Sequence, residues 1–337
     1  MKTAIIGVGR MGRRHIQVVR KLGLDLVGVF DVSQDSLKAA QDEHALTSHL
    51  LFNNLDKLYA EAEPECVIIA TTADSHCVLT RMAAERGAKY VLVEKPMAVS
   101  LEECDRMIEA CKRHGTKLAV NHQMRFMTVY TEPKRLLNTE AYGGLTSMTV
   151  VAGNIGFSMN GTHYFEAFRF LTDEQVVEVT AWFSPEAAPN PRGVQFQDRA
   201  GSLRAVTASG KRLYMEIGAD QGHGLRVIYA CRRGMIMVDE AARELFSTER
   251  TEQNRGLPTT RCGMPGVNIQ RMIPFCGVID TSAAVISALL RDVNSVSGEH
   301  GRCAVEFLVA AYQSAELGSI AVRLDGKLER SRVFPWA

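Results

Sequence analysis

The sequence lacks a large net charge, a paired-cysteine motif and any apolar run long enough to cross a bilayer. Its 39 Lys and Arg stand against 38 Asp and Glu. That balance argues against the one-signed field on which nucleic-acid or acidic-membrane binding depends. No stretch approaches the ~20 consecutive apolar residues of a membrane helix. The opening Met-Lys-Thr-Ala-Ile-Ile-Gly is too short for a signal-peptide core and reads as a strand running into a glycine-rich loop. Cys66, Cys77, Cys104, Cys111, Cys231, Cys262, Cys276 and Cys303 are scattered with no Cys-x-x-Cys pair. The spacing argues against a zinc site and against a secreted disulfide framework. Reduced, buried thiols in a cytosolic protein, with no metal, are expected instead.

What is present is an ordinary globular composition, 46% hydrophobic and 23% charged over 337 residues. A chain of that length exceeds a single core, so two domains are expected. Over the first ~120 residues short apolar runs alternate with amphipathic segments, as repeated βαβ units require. The strands are predicted at 3–6, 26–30, 66–70, 90–94 and 117–120, with a short further strand within 46–53. Helices are predicted at 11–22, 34–44, 75–86 and 101–114. Beyond about residue 126 strand-like runs follow one another at 145–152, 176–183, 193–197, 203–208, 212–217, 225–229 and 235–238. Helices are expected at 132–137, 161–171, 278–290 and 304–317, and a long loop at 251–273 containing Arg255, Arg261 and Arg271. The fold class expected is α/β: a doubly wound parallel sheet over residues 1–122, then an α/β domain with an open, mostly antiparallel sheet over 123–337.

The first strand enters Gly7-Val8-Gly9-Arg10-Met11-Gly12, which opens a helix. Glycines in this pattern carry weight because strand, loop and helix stand in the right order. Gly7 would allow the tight turn, Gly9 would let backbone approach a pyrophosphate, and Gly12 would let the helix pack on the strand. Free N–H groups at the helix start would then hold the phosphates. Asp31, followed by Val32, ends the second strand 19 residues after Gly12. A carboxylate there accepts the adenosine ribose hydroxyls and repels a 2′-phosphate, so NAD is favoured over NADP. Arg10 is the feature that would accommodate a phosphate.

The strand at 90–93 ends in Glu94-Lys95-Pro96. Ligands of doubly wound sheets bind outside the carboxyl ends of the strands, which puts Lys95 at the site by position. A lysine there can hydrogen-bond a substrate hydroxyl and ease loss of its proton.

The glycine loop with His15, Ala70-Thr71-Thr72 with His76, Glu94-Lys95-Pro96 and Gly161-Thr162-His163 together resemble the Gfo/Idh/MocA family. Its members include glucose–fructose oxidoreductase and inositol dehydrogenase. Asn121-His122-Gln123-Met124-Arg125-Phe126 is similar to that family's Asn-x-Arg-Phe region, and the similarity runs over essentially the whole chain. The resemblance implies a Rossmann domain, then an α/β domain whose sheet often forms the oligomer interface. It implies hydride transfer at a sugar or cyclitol carbon, with Lys95 as the catalytic lysine and His163 as acid/base. It also places Thr71, Thr72, His76, Glu94, Lys95 and Pro96 around the cofactor, although His76 is equally readable as helix packing. His122 and Arg125 are candidate substrate contacts at the domain junction, a structural salt bridge being the equal competitor for Arg125.

Two positions depart from the family pattern. Met159 stands four residues before His163, where many relatives carry an aspartate, and Ala73 follows Thr72, where a proline is common. Asn160 can orient a hydroxyl but cannot act as a base. The function expected is NAD-dependent oxidation or reduction of a polyhydroxylated small molecule by a cytosolic homo-oligomer. The alternatives are a redox-neutral hydrolase or epimerase that retains its nicotinamide, and a non-catalytic NAD-binding sensor.

Overall fold

The computed structural model describes residues 1–185, 190, 192–258, 266–292 and 296–336. Arg261 and Cys262 lie outside them. The chain divides into two compact units: Met1–Gln123 with Gly277–Val305 and Arg330–Ala337, and Met124–Cys276 with Glu306–Glu329.

In the first unit strands and helices alternate. They are β1 (Lys2–Ile6), α1 (Arg10–Lys21), β2 (Asp25–Phe30), α2 (Gln34–His44), β3 (Leu51–Phe52), α3 (Leu55–Ala62) and β4 (Cys66–Ile69). Then come α4 (Ala73–Glu85), β5 (Tyr90–Val93), α5 (Leu101–His114) and β6 (Lys117–Val120). The strands form one parallel sheet in the order β3-β2-β1-β4-β5-β6, the doubly wound arrangement of a Rossmann domain. Every residue of β4 is buried, as expected of a central strand covered on both faces. Local chemistry sets the helix ends. Ser33, Asn54 and Ser100 each accept a hydrogen bond from the backbone N–H three residues on, starting α2, α3 and α5. Gly115, in the left-handed region at φ 69°, ends α5.

The second unit holds α6 (Thr128–Leu137), β7 (Leu145–Ala152), a π-helical turn at Phe157–Gly161, α7 (Thr162–Thr172), β8 (Val176–Phe183) and β9 (Gly201–Thr207). It continues with β10 (Arg212–Ile217), β11 (Arg226–Cys231), β12 (Gly234–Asp239), β13 (Glu244–Arg250) and β14 (Gly266–Met272). Two helices follow along the chain: α8 (Val278–Leu290), which belongs to the first unit and packs on α1, β5 and β6, and α9 (Gly298–Glu316). A short β15 (Val322–Arg323) completes the second sheet. Among the described residues its order is β14-β13-β12-β11-β7-β10-β9-β8-β15. Only β7 and β10 pair in parallel, so the sheet is mixed and mostly antiparallel, as expected. β9 and β10 alternate between buried and accessible residues, the pattern of a sheet covered on one face.

Two expectations fail, and α3 and β13 were not among the predicted elements. Residues 193–197 form a turn and not a strand. Part of the expected loop at 251–273 is β14, which pairs antiparallel with β13. Its residues are nearly all exposed, and the alternation Val267-Asn268-Ile269-Gln270 is too short, among Gly, Pro and Arg, to stand out as a strand in the sequence. α3 went unpredicted because eight residues span only about two turns.

The last described residues belong to the first unit. Glu102 N donates to Arg330 O and Phe334 N to Val99 O, both at 2.9 Å. Trp336 is fully buried and stacks on Phe334 with ring centroids 4.5 Å apart. Truncating a large buried aromatic costs roughly 3–5 kcal/mol, so Trp336→Ala is expected to lower the urea midpoint and the Tm markedly. Far-UV circular dichroism can follow this, because the substitution removes the buried tryptophan and leaves only the half-exposed Trp182 as a fluorophore. An unchanged midpoint would show that the terminal segment adds nothing to the fold.

Candidate active site

The glycine loop follows directly from β1. Gly7 has φ 88°, its N–H donates to Phe30 O at 2.8 Å, and an added Cβ would meet Ala70 backbone at 2.9 Å. A Cβ at Gly12 would fall 1.9 Å from Gly7 O, so α1 can lie this close only with glycine there. Gly9 differs from both: its Cβ would meet nothing within 4 Å. The space over Gly9 is therefore open on the side from which a diphosphate must approach. No acidic residue lies in the first turn of α1 and no side chain caps it. Its N–H groups and dipole favour an anion, so the residues present fit a dinucleotide.

Asp31 has a second use that the sequence did not disclose. Its carboxylate accepts Val8 N–H and Ser33 N–H, each at 2.9 Å. It thus fixes the glycine loop as well as standing at the ribose position, and Val32 beside it is largely exposed. Arg10 is exposed and Met11 half-buried at the same helix start.

The carboxyl ends of β4 and β5 lie on the same edge of the parallel sheet. Ser75 Oγ donates to Thr71 Oγ1 at 2.6 Å and to Thr72 O at 2.9 Å, tying the loop that enters α4. His76 is buried, and its Nδ1 lies 3.0 Å from Pro96 O while Nε2 lies 3.3 Å from Thr71 O. Burial lowers its pKa, opposed by the carbonyls of Thr71 and Pro96. Both ring nitrogens face backbone, so His76 joins the Thr71 loop to the Glu94-Lys95-Pro96 loop.

Glu94 is buried. His15 Nε2–H from α1 donates to its Oε1 at 2.8 Å, and Asn121 Nδ2, just after β6, donates to the same atom at 2.8 Å. Burial pushes the Glu94 carboxyl up, but the His15 hydrogen bond and charge, the Asn121 amide and the Lys95 charge outweigh it and hold the pKa at about 2. The network pins the segment bearing half-buried Lys95 to the helix that opens at the glycine loop. The only hint in the sequence was the recurrence of His15 in the motif. Because the folded pKa lies below the ordinary 4.5, this stabilisation is present above that value and is lost as pH falls through about 2. Glu94→Gln is expected to flatten the acid side of the stability curve, measured by urea unfolding between about pH 3 and pH 7. Parallel curves for the two proteins would exclude the network as a source of stability.

His122 is buried in the first unit, after β6. In the second unit Arg125 Nη1 donates to Glu166 Oε1 at 3.0 Å, and its guanidinium lies 4.5 Å from the Phe170 ring centre. Glu166 also receives both donors of Arg169, at 2.7 and 2.9 Å. The salt-bridge alternative therefore describes Arg125 in this structure. His163 is buried in the first turn of α7. Asn160 Nδ2, in the π-helical turn before it, donates to Ile155 O at 2.9 Å. A residue missed by sequence reading stands beside them: buried Asp198, whose carboxylate accepts the N–H groups of Ser158 and Met159.

Residues 1–122 match the NAD-binding Rossmann fold of the Gfo/Idh/MocA oxidoreductases. The first 122 residues therefore carry that family's NAD-binding fold. It is 29% identical over 280 residues to inositol 2-dehydrogenase 2 of Saccharopolyspora erythraea, covering 77% of this chain and 79% of that one. To inositol 2-dehydrogenase of Salmonella typhimurium it is 28% identical over 146 residues, 42% of this chain and 43% of that protein. In fold it is similar to a putative NADPH-dependent oxidoreductase of Desulfitobacterium hafniense, with a TM-score of 0.79 at 17% identity over 96% and 97% of the two chains. The chain thus carries an NAD-binding Rossmann unit.

Among the described residues no cluster of His, Cys, Asp or Glu can hold a metal, and no helix is long and apolar enough to cross a membrane. Cys66, Cys77, Cys104, Cys111 and Cys231 are free thiols. Burial pushes Cys66, Cys111 and Cys231 up to about 12, which makes them poor nucleophiles.

Proposed function

We propose that this protein is an oxidoreductase that transfers a hydride between NAD and a hydroxyl-bearing carbon of a sugar, cyclitol or related polyol. The observation that carries the reading is Lys95 at the carboxyl end of β5, on a segment tied through Glu94 and His15 to the helix of the glycine loop. Oxidising an alcohol requires its hydroxyl proton to leave as the hydride departs. Lys95 would hydrogen-bond that hydroxyl and His163 would accept or return the proton, imidazole titrating in the useful range. Bound NAD supplies the hydride acceptor. Gly7, Val8, Gly9, Arg10, Met11 and Gly12 would cradle its diphosphate, and Asp31 and Val32 would flank the adenosine ribose. Thr71, Thr72, His76, Glu94 and Pro96 would shape the nicotinamide end. The Asp31 carboxylate supports NAD over NADP. Asn160 and His122 remain proposed substrate contacts. Arg125 could serve as one through guanidinium N–H groups other than the Nη1 donor bound to Glu166.

The proposed assignment gives nucleotide binding to residues 1–122 and substrate binding and oligomerisation to the second unit within 123–337, residues 277–305 and the last segment returning to the first unit. The open face of the second sheet supports self-association. Strand register puts Thr180, Arg204, Tyr214, Thr149, Ile228 and Met237 in one row across β8, β9, β10, β7, β11 and β12. Half-exposed Trp182 and partly exposed Tyr214 and Met235 add apolar area. A cytosolic homo-oligomer acting on a small molecule, with no nucleic-acid or membrane partner, fits that surface and the near-zero net charge.

The test is NADH formation from NAD by purified protein across cyclitols, aldoses, amino sugars and sugar acids. A signal from one class defines the substrate. Tightly retained nucleotide on extraction, with no NADH released from any compound, would replace net oxidation by a redox-neutral reaction.

A further inference from the structure

We propose that Asp198 is the positioning residue for the turn that carries Asn160 and His163, doing from 40 residues away what no carboxylate at position 159 can do here. The inference rests on the reading of His163 as the proton-handling group.

A helix start leaves its first N–H groups without partners. At Phe157–Gly161 three successive N–H groups are taken by one dipeptide. Phe157 N donates to Arg199 O at 2.9 Å. Ser158 N donates to Asp198 Oδ1 and Met159 N to Asp198 Oδ2, both at 2.8 Å. Arg199 N closes the clasp by donating to Oδ1 at 2.9 Å. Each carboxylate oxygen is thus used, and the plane of the carboxylate sets the orientation of two consecutive peptides.

The local sequence is built around that carboxylate. Gly156, at φ 69°, has no room for a side chain: its Cβ would fall 1.9 Å from Asp198 Oδ2. Gly161 N donates back to Gly156 O at 2.9 Å, closing the wide π-type turn. Such turns are rare and recur where function needs a backbone re-aimed. Here the re-aimed residues are Asn160, whose amide is held on Ile155 O, and His163 in the next turn.

Asp198 is 3% exposed, and a charged group so buried is costly unless it is fully hydrogen-bonded. A serine would cap a single N–H at far lower desolvation cost. Three N–H groups fixed at once is what the carboxylate adds, and what it adds is geometry. Met159 enters through its N–H, which is why the loss of an acidic side chain at that position leaves the turn intact.

The test uses the full chain with Asp198→Ala, Asp198→Asn and Gly156→Ala. The readouts are amide hydrogen exchange over 157–161 and the imidazole resonances of His163 by NMR, neither of which needs a substrate. NADH Kd, and kcat on whichever compound the wild type oxidises, are measured alongside. In Asp198→Ala the Ser158 and Met159 amides are expected to exchange at least tenfold faster. The His163 resonances should shift and kcat fall at least tenfold, with NADH Kd within about twofold. Asp198→Asn should lie between, keeping one acceptor. Gly156→Ala, which displaces the carboxylate without removing it, should reproduce the signature if Asp198→Ala does not fold. Amide protection within twofold of wild type overturns the clasp. Loosened amides with His163 and kcat unmoved overturn the positioning role. If His163→Ala instead keeps full turnover, the catalytic reading fails while the clasp still stands or falls on exchange alone.

Discussion

Lys95→Met is expected to lower kcat/KM about 10²–10⁴-fold, the range of a lost proton-transfer group, while NADH Kd stays within about threefold. The substitution keeps an unbranched side chain of similar length, with a thioether sulfur in place of the δ-methylene, and removes the ammonium, so packing at the carboxyl end of β5 is largely preserved. Lys95 is half-buried there, and the segment is held by Glu94 through His15 and Asn121. The variant should therefore fold, bind nucleotide and fail at the proton. Absorbance of NADH formed gives the first quantity and fluorescence titration of NADH gives the second. Wild-type turnover would move the chemistry to another residue. Joint loss of turnover and nucleotide binding would make Lys95 a cofactor ligand before anything else.

The second large effect separates two glycines that the motif treats alike. Gly12→Ala puts a methyl 1.9 Å from Gly7 O, where only backbone can yield. Overpacking of this kind costs about 1–3 kcal/mol or more, so the Tm should fall and NAD binding should weaken by two orders of magnitude or be lost. Gly9→Ala meets no protein atom within 4 Å. It should leave the Tm unchanged yet weaken NAD at least tenfold, because its methyl occupies the approach of the diphosphate. Equal Tm losses in both variants would refute the distinction. A Gly9→Ala protein with wild-type affinity would place the diphosphate elsewhere.

These two predictions also mark what a linear sequence can and cannot show. The glycine spacing, the strand before it and the helix after it are local, and local patterns are readable because backbone sterics act over a few residues. The alternation of apolar runs and amphipathic helices likewise requires a parallel sheet with helices on both faces, and the doubly wound order follows. β14 is the converse case: an exposed edge strand is defined by its pairing with β13, not by its own composition. Arg125 and His76 carry the same lesson for single side chains. Their chemistry admitted ligand binding, and the structure engages them with Glu166 and with the carbonyls of Thr71 and Pro96.

By itself, then, the sequence determined the fold class, the phosphate loop and the acidic residue at the end of β2, because each depends on periodicity or on spacing within a single βαβ unit. Only the tertiary structure decided that Glu94 is shared by His15 and Asn121, that Trp336 returns to the first unit, and that Asp198 holds the turn before His163. Those contacts join residues tens to hundreds of positions apart. Hydrogen bonding and burial depend on distance in space, and the chain encodes such distances only once it has folded.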